Sequence, residues 1–206
     1  MTVNEMLTRL GYSLDDPDGN RYTSPIKLAA LNTAQDDIAG IAHTSLLSSL
    51  QTTQSFTALA NGNNLSTNYF RYVNSKLRLR SPVKWIVKLD MDKVGMIDDN
   101  QFSRGSDLDP VCYIWGNVYY LMITAASYGG DNSAVTLYYV KKPTALTAGG
   151  TCELHVSLHK HILKSAESDL KLTYKHGSVE AALKMKDDAE GAVYRLNQRY
   201  ESGELL

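Results

Sequence analysis

Apolar side chains recur every three to four residues at both ends of the chain, which predicts two N-terminal and two C-terminal helices. The first pair covers residues 2–10 and about 24–48, and the second pair begins near residue 153 and at residue 179. The apolar stripes of the three longer helices are Ile26, Ala30, Ala34, Ile38 and Ile41; Leu154, Leu158, Ile162, Ala166 and Leu170; and Ala182, Met185, Ala189, Ala192 and Leu196. Such stripes bury one helix face against another, so the chain ends are expected to share a helical core.

Between these helices the pattern changes to that of strands and turns. Residues 110–130 carry no charge, and the length of this run is close to that of a membrane span. Gly116-Asn117 interrupts the run between β-branched and aromatic residues, which is typical of a two-residue hairpin turn. The run therefore predicts paired strands at 111–115 and 118–123, and a third strand at 134–140 is expected to continue them as a β-meander.

The strand at 118–123 is apolar on both of its faces. Val118, Tyr120 and Met122 alternate with Tyr119, Leu121 and Ile123. A strand with one wet face should instead alternate apolar with polar residues. Three interpretations remain open: other elements of the chain cover both faces, a neighbouring chain covers the second face, or the strand lies in a sandwich whose outer tyrosines tolerate water.

Composition and length fit one soluble α+β domain over residues 1–206. About four helices, two from residues 1–50 and two from 153–206, are expected to form a bundle, with an antiparallel β insertion at 51–150 between the second and third helices. The net charge of −1 gives no bulk attraction to nucleic acid or membranes. The start of the chain lacks the apolar core of a secretory signal. Cys112 and Cys152 fit no zinc spacing and are interpreted as free thiols, with a disulfide as the lesser alternative.

Candidate chemistry is sparse. His155 and His159 stand one helical turn apart but lack a third ligand at a recognisable spacing, so no metal or cofactor is expected and their replacement by alanine should change stability little. Carboxylates two residues apart, at 107 and 109 or at 167 and 169, could act together only in a cleft. No phosphate-binding loop or nucleophile motif is present in the sequence. We therefore expect no enzyme.

Local charge is more informative than the total. Residues 71–93 hold seven basic and two acidic side chains, a net of +5, and residues 95–110 hold four acidic and one basic, a net of −3. Three interpretations are open: the two segments are solvated loops, they contact DNA phosphates, or they contact an oppositely charged neighbouring copy of the chain. We favour the contact with a neighbouring copy. The residues expected at such an inter-subunit contact are Arg71, Arg78, Arg80, Lys84, Asp98, Asp99, Asp107 and Asp109.

The order of these parts resembles the head–tail adaptor (connector) proteins of tailed bacteriophages. The resemblance covers nearly the whole chain and rests on "SPIKLAALNTAQDDIAGIA", "DPVCYIWGNVYYLMI", "LYYVKKPTAL" and "ELHVSLHKHILKSAESDLKL". His155 stands where the family usually has a proline at the start of the third helix. None of the motifs is specific alone, and their joint order carries the resemblance.

The resemblance implies a structural protein of the virion neck, which is located in the host cytoplasm during assembly. Copies would form a ring, commonly of twelve, beneath the portal, which extends the channel for packaged double-stranded DNA and offers a surface to the tail or a second neck protein. Contacts with the portal are expected from the C-terminal segment, at Tyr194, Leu196, Tyr200, Leu205 and Leu206, with the chain from Tyr194 onward mobile before it binds. The rival functions are a nucleic-acid-binding module that uses residues 71–93 with Tyr69, Phe70, Tyr72 and Trp85, and a cell-wall hydrolase.

Overall fold

A computed structural model describes residues 1–79, 83–98, 105–106, 108–123, 128–130 and 133–202, with the side chains of 95–98 left out. The α-helices in this part of the chain are α1 (Val3–Ser13), α2 (Ser24–Ile41), α3 (Met91–Asp98), α4 (His159–Thr173) and α5 (Val179–Glu201). The strands are β1 (Gln51–Thr57), β2 (Asn63–Asn64), β3 (Tyr69–Leu77), β4 (Lys84–Trp85), β5 (Val87–Lys88), β6 (Val111–Trp115), β7 (Val118–Met122) and β8 (Ala134–Lys141). Short 3₁₀ segments cover Thr44–Leu50 and Val156–Leu158.

The chain forms two compact units, and the predicted α+β class is confirmed. A helical unit joins Met1–Leu50 to Lys142–Leu206, and a β unit consists of Gln51–Lys141. The helices predicted from both chain ends are present, whereas α3, inside the β unit, was not predicted. Among the described residues, no helix combines the length and apolar character needed to cross a membrane.

Capping residues decide where several helices begin. Thr2 and Glu5 form a reciprocal capping box at α1, in which each side chain accepts a hydrogen bond from the other residue's backbone N–H. The helix predicted from residue 153 corresponds to α4. It begins only at His159, because Val156–Leu158 before it form a 3₁₀ segment. Likewise α2 ends at Ile41, and the remainder of its predicted length to residue 48 is largely 3₁₀.

Helix α4 lies at the centre of the helical unit. It contacts α1, α2 and α5. Ile162, Ala166 and Leu170 of its predicted stripe are buried. On α5, Ala182 and Ala189 of the predicted stripe are buried together with Val193, which the stripe did not include. The other three stripe residues, Met185, Ala192 and Leu196, are half-buried, so the core-facing side of this helix was predicted only in part.

The β unit contains two four-stranded sheets. Their strand orders are β1-β8-β3-β4 and β2-β7-β6-β5, with antiparallel pairing throughout except for the parallel pair β5–β6. The predicted hairpin is confirmed, since β6 and β7 pair across Gly116-Asn117 and Gly116 has a positive φ of 57°. The predicted meander is wrong. β8 leaves the hairpin's sheet and lies between β1 and β3 of the other one.

The two faces of β7 meet different surroundings. Tyr119 and Leu121 are buried in a core to which both sheets contribute. The opposite face is half-buried, and there Tyr120 stacks on Tyr113 of β6 at 4.7 Å between ring centroids. Residues from the same unit also approach this face, because a Cβ at Gly62 would lie 2.6 Å from Val118. Elements of the same unit therefore cover both faces of β7, the Tyr119 face fully and the Val118 face in part.

The turn between α1 and α2 is built on Asp16. Its carboxylate accepts hydrogen bonds from the backbone N–H groups of Arg21 (3.2 Å) and Tyr22 (2.7 Å). The buried ammonium of Lys27 lies 4.0 Å from the same carboxylate and donates to the Asp16 carbonyl oxygen at 3.1 Å. The Tyr22 and Arg21 backbone N–H groups, and then Lys27, hold the pKa of Asp16 below its ordinary value.

This arrangement predicts a stability loss that depends on pH. Because the folded pKa of Asp16 is lowered, its carboxylate stabilises the fold above the unfolded pKa of about 3.9, and that contribution is lost as the pH falls through the folded pKa. Asp16→Ala should therefore lower the melting temperature at pH 7, with the difference from wild type narrowing below about pH 4. The matched control is Asp18→Ala, which removes an exposed carboxylate of the same turn and should have little effect. Equal losses from both substitutions, or a pH-independent loss from Asp16→Ala, would contradict the role given to this carboxylate.

Candidate interaction surfaces

An aromatic and basic surface covers part of the sheet that contains β3, β4 and β8. Lys76 is paired with Trp85 across β3–β4 and with Thr136 across β3–β8. Its ammonium lies 5.8 Å from the ring centroid of Trp85 and 5.4 Å from that of Tyr138, so both rings provide cation–π contacts. Trp85 nevertheless remains 55 % exposed. A large exposed aromatic ring beside a fixed cation suits a protein contact.

Tyr69 and Tyr72, two other aromatic residues of this region, do not belong to that surface. Tyr69 and Tyr72 pack against the core of the β unit, and burial raises the pKa of Tyr69 to about 12 and that of Tyr72 further. The Tyr72 hydroxyl is 3.0 Å from the Ser75 hydroxyl. Nucleic-acid bases can stack only on exposed rings. Tyr69 and Tyr72 are therefore unsuitable for the base stacking that the alternative function, nucleic-acid binding, would require.

The members of the basic segment occupy different environments. Arg71 on β3 is half-buried, its guanidinium lies 5.6 Å from the Phe70 ring centroid, and burial lowers its pKa. Arg78 follows β3 directly and is exposed, while Lys84 on β4 is half-buried. Arg80 lies outside the described residues.

The acidic segment is described in part. Asp109 is exposed, and its backbone N–H donates to the Ser106 hydroxyl at 3.1 Å. Asp98 is the last residue of α3, and its side chain is not described. Asp99 and Asp107 lie outside the described residues. Of the four predicted acidic contacts, the structure therefore places the side chain of Asp109.

Strand pairing brings the basic and acidic segments together within one subunit. β5 runs parallel to β6, with Val87 opposite Val111, and the Val87 N–H donates to the Pro110 carbonyl oxygen at 3.1 Å. Asp109 precedes this pair directly along the chain. Among the described residues, no ion pair joins Lys84 or Lys88 to Asp109. The pairing therefore places the two segments side by side without an ion pair between these three described side chains.

The C-terminal helix is anchored further along than the sequence predicted. α5 continues to Glu201, and the Asn197 amide bridges to the end of α2: it donates to the Ile41 carbonyl oxygen and accepts from the His43 N–H, both at 2.7 Å. Tyr200 stacks on His43 at 6.3 Å. The expectation of a mobile chain from Tyr194 onward is therefore wrong for the segment up to Ser202. Leu205 and Leu206 lie outside the described residues.

The remaining predicted portal residues differ in accessibility. Tyr194 is 53 % exposed, whereas Leu196 and Tyr200 are half-buried. Leu196 lines a groove of about 580 Å³ between α4 and α5, here called the α4–α5 groove. The described residues that line it are Lys160, His161, Ala192, Arg195, Leu196, Gln198, Arg199 and Ser202. This groove was not predicted, because Lys160 and Arg195 are distant in the sequence and only helix packing brings them together.

The histidines at the start of α4 have separate structural partners. His155 is exposed and caps the 3₁₀ segment, with its Nδ1 atom 2.8 Å from the Ser157 hydroxyl. His159 is buried, its Nε2 atom lies 2.9 Å from the Leu154 carbonyl oxygen, and burial lowers its pKa. In the described part of the chain, no group of three or more potential metal ligands comes together.

The carboxylates considered for hydrolysis are held by lysines. Glu167 forms an ion pair with Lys171 at 2.6 Å. Asp169 forms one with Lys186 at 3.1 Å. A general acid or base must reach its substrate, and both of these groups are instead engaged within the helical unit. Asp107 lies outside the described residues.

The helices from the two ends of the chain form one unit, and the residues between them in the sequence form a β unit that exposes an aromatic and basic surface. A family model described as SU10 adaptor protein matches residues 1–203, so the chain belongs to the SU10 adaptor protein family and is a bacteriophage structural adaptor protein, as the resemblance predicted. No curated protein gave a significant match. Membership implies a virion component that contacts other head or tail proteins, and such families typically do not act as enzymes.

Burial of His159 changes the effect expected from its replacement. His159→Ala should lower stability by about 1–3 kcal/mol, because it removes a buried ring and the hydrogen bond to Leu154. The sequence-based expectation of unchanged stability should hold better for His155→Ala, the exposed neighbour, which serves as control. Chemical denaturation of the two single variants measures the difference. Equal stability of His159→Ala and wild type would show that this ring is not part of the core.

Proposed function

We propose that this adaptor forms a head-to-tail ring beneath the portal and acts by assembly. The family match over residues 1–203 carries this proposal, since it assigns nearly the whole chain to an adaptor. A ring, commonly of twelve copies in the proteins the sequence resembles, extends the channel for packaged double-stranded DNA and presents its far side to the tail or a second neck protein. In this proposal the four helices from the chain ends form a bundle that is the body of the ring, and the two units together make one domain.

The charged segments of the β unit are the proposed inter-subunit contact. In a head-to-tail ring, each copy presents unlike surfaces to its two neighbours, so one copy's basic segment can meet the next copy's acidic segment. Arg78 and Asp109 support this assignment because both are exposed. The parallel pairing of β5 with β6 adds support, since it holds Asp109 close to the basic segment's strands.

The C-terminal segment is the proposed contact with the portal. Tyr194 offers an exposed aromatic ring on α5, and Leu205 and Leu206 follow Gly203 in the sequence. Burying one leucine contributes about 1.5–3 kcal/mol, so a partner that covers both would bind appreciably more tightly. Repetition around a ring strengthens even a weak contact of this kind through avidity.

Particle mass tests the proposed function directly. We expect the purified chain to be found in rings of one defined stoichiometry, either alone or when mixed with the portal ring of the same phage. Mass photometry or native mass spectrometry of both samples measures this. A chain that stays monomeric in both samples would overturn the proposal.

Charge reversal in the basic segment tests the proposed inter-subunit contact. Arg78→Glu combined with Arg80→Glu should weaken ring assembly, because both substitutions place carboxylates where an acidic neighbour is expected. The monomer should remain folded, since Arg78 is exposed. Lys175→Glu with Lys184→Glu, which changes the charge equally on exposed residues of the helical unit, is the control. Unchanged assembly of the Arg78/Arg80 variant on the portal would rule out charge pairing through this segment.

Removal of the last four residues tests the proposed contact with the portal. Deleting Gly203–Leu206 should leave the melting temperature within about a degree, because terminal residues contribute little to global stability. The same deletion should weaken binding to the portal ring, because it removes two apolar side chains of the proposed contact. Binding measured at several adaptor concentrations compares the truncated and full-length chains. Identical binding curves would exclude a portal contact through these residues.

A further inference from the structure

The surface of helix α5 has three faces of different chemical character. At about 100° per residue, its buried residues Ala182, Ala189 and Val193 lie on one face. A second face, here called the acidic flank, carries Leu183, Asp187, Glu190 and Tyr194. The third face carries Ala192, Arg195, Arg199 and Ser202, which line the α4–α5 groove. The three faces are centred roughly 110–130° apart, so the acidic flank and the groove lie on opposite flanks of the helix.

The α4–α5 groove is cationic. Lys160, Arg195 and Arg199 line it, and no carboxylate is among the lining residues in the described part of the chain, which ends at Ser202. Lys164 stands one turn after Lys160, and Arg199 one turn after Arg195, and such like-charge pairs destabilise a helix. Among the described residues, Lys160, Lys164 and Arg195 form no ion pair with a carboxylate of the chain. An anionic group from elsewhere would relieve this repulsion.

A buried histidine is also part of the groove lining. His161 lines the groove but is only 5 % exposed, and its Nδ1 atom has no hydrogen-bond partner among the described residues. Burial, and then Lys160, Lys164 and Arg195, lower the pKa of His161 to about 4, so its ring is neutral near pH 7. The groove thus combines the cations of Lys160 and Arg195 with the apolar side chains of Ala192 and Leu196, and the neutral ring of His161 belongs to its lining.

The acidic flank has the complementary chemistry. Asp187 is exposed and Glu190 is half-buried, and in the described part of the chain neither forms an ion pair. Leu183 and Tyr194 on the same flank are 49 % and 53 % exposed. Carboxylates interspersed with large apolar side chains match cations interspersed with Ala192 and Leu196. Duplex DNA would match the cations alone and would leave the acidic flank unused.

We propose that the α4–α5 groove of one copy binds the acidic flank of α5 from a second copy. This inference rests on the proposed ring and adds a specific contact in the helical unit. Because the two surfaces lie on opposite flanks of one helix, each copy can use both at once, as a heterologous ring contact requires. Their centres are offset by roughly 13 Å along α5, so neighbouring α5 helices are staggered or tilted around the ring.

Charge-reversed variants test this contact. Lys160→Glu/Arg195→Glu gives the groove the charge of the acidic flank, and Asp187→Lys/Glu190→Lys gives the flank the charge of the groove. Each variant alone should need at least roughly tenfold more protein for half-assembly, because every groove then meets a flank of like charge. An equimolar mixture should assemble like wild type, since the two variants can alternate around an even-numbered ring with every contact complementary.

Controls separate this contact from folding and from general charge effects. Lys175→Glu/Asp36→Lys exchanges two exposed charges of the helical unit that lie outside α5 and outside both surfaces, and this variant should assemble like wild type. Circular dichroism and melting temperatures check that each variant is folded. If the charge-reversed groove variant does not fold, Lys160→Gln/Arg195→Gln replaces it and should give a smaller shift in the same direction.

The outcomes distinguish the contact from the ring. Assembly of either charge-reversed variant at the wild-type concentration, while wild type forms rings, would overturn the contact and leave the ring intact. A mixture that assembles no better than its components would overturn the pairing of groove with flank. Tight binding of a 20-base-pair duplex by wild-type monomers, lost in the groove variant, would assign the groove to DNA instead. Absence of wild-type rings, alone and with the portal, would overturn both the ring and the contact.

Discussion

The packing of both chain ends against α4 is the constraint on which the helical unit depends. α1 and α2 reach α4 from the first fifty residues, and α5 follows it in sequence. The whole β unit, Gln51–Lys141, lies between these partners along the chain. The entropy cost of closing a loop grows only with the logarithm of its length, so burial of Ile162, Ala166 and Leu170 can hold the ends together around a large insertion. The insertion is thereby free to be a compact unit with surfaces of its own.

Within the β unit, a small polar network allows tyrosines to be buried between the sheets. The Ser75 hydroxyl lies 3.0 Å from the hydroxyls of both Tyr72 and Tyr119, and Cys112 Sγ lies 3.9 Å from it. These partners satisfy polar groups whose burial would otherwise be costly, and burial raises the pKa values of Tyr119 and Cys112. The inner faces are thus occupied by aromatic residues, and Lys76 with Trp85 is displayed on an outer face.

Features that depend on local periodicity were predicted correctly from the sequence. The pairing of segments that are distant along the chain was not. Helical stripes located α1, α2, α4 and α5, and Gly116-Asn117 located the β6–β7 hairpin, because each depends on neighbouring residues. The position of β8 was wrong because a strand's partners are chosen by packing across the whole unit. α3 was missed since its eight residues span little more than two helical turns, too short for a helical repeat to stand out within a strand-rich region.

The same limit applies to the candidate surfaces. The alternation of basic and acidic segments is visible in the sequence, but the pairing of β5 with β6 that brings them together is not. Tyr69 and Tyr72 looked suitable for base stacking until the fold placed them against the core. The α4–α5 groove requires two helices, so neither stretch of sequence indicates it alone. The His155–His159 spacing, by contrast, was visible, but the Leu154 carbonyl oxygen holds one of the two rings.

A net charge of −1 conceals a strong separation of charge across the helical unit. One side of α5 concentrates cations around the α4–α5 groove, and its opposite flank carries Asp187 and Glu190. Concentrating like charges costs stability in an isolated subunit, whereas interspersed charges would stabilise the helix through pairs one turn apart. Lys186 illustrates the alternative, since its ammonium is shared between Asp37 and Asp169 within the same unit. A subunit that pairs some charges internally and groups others on opposite flanks of one helix has the pattern that head-to-tail association can use, because the grouped cations of one copy can meet the grouped carboxylates of the next.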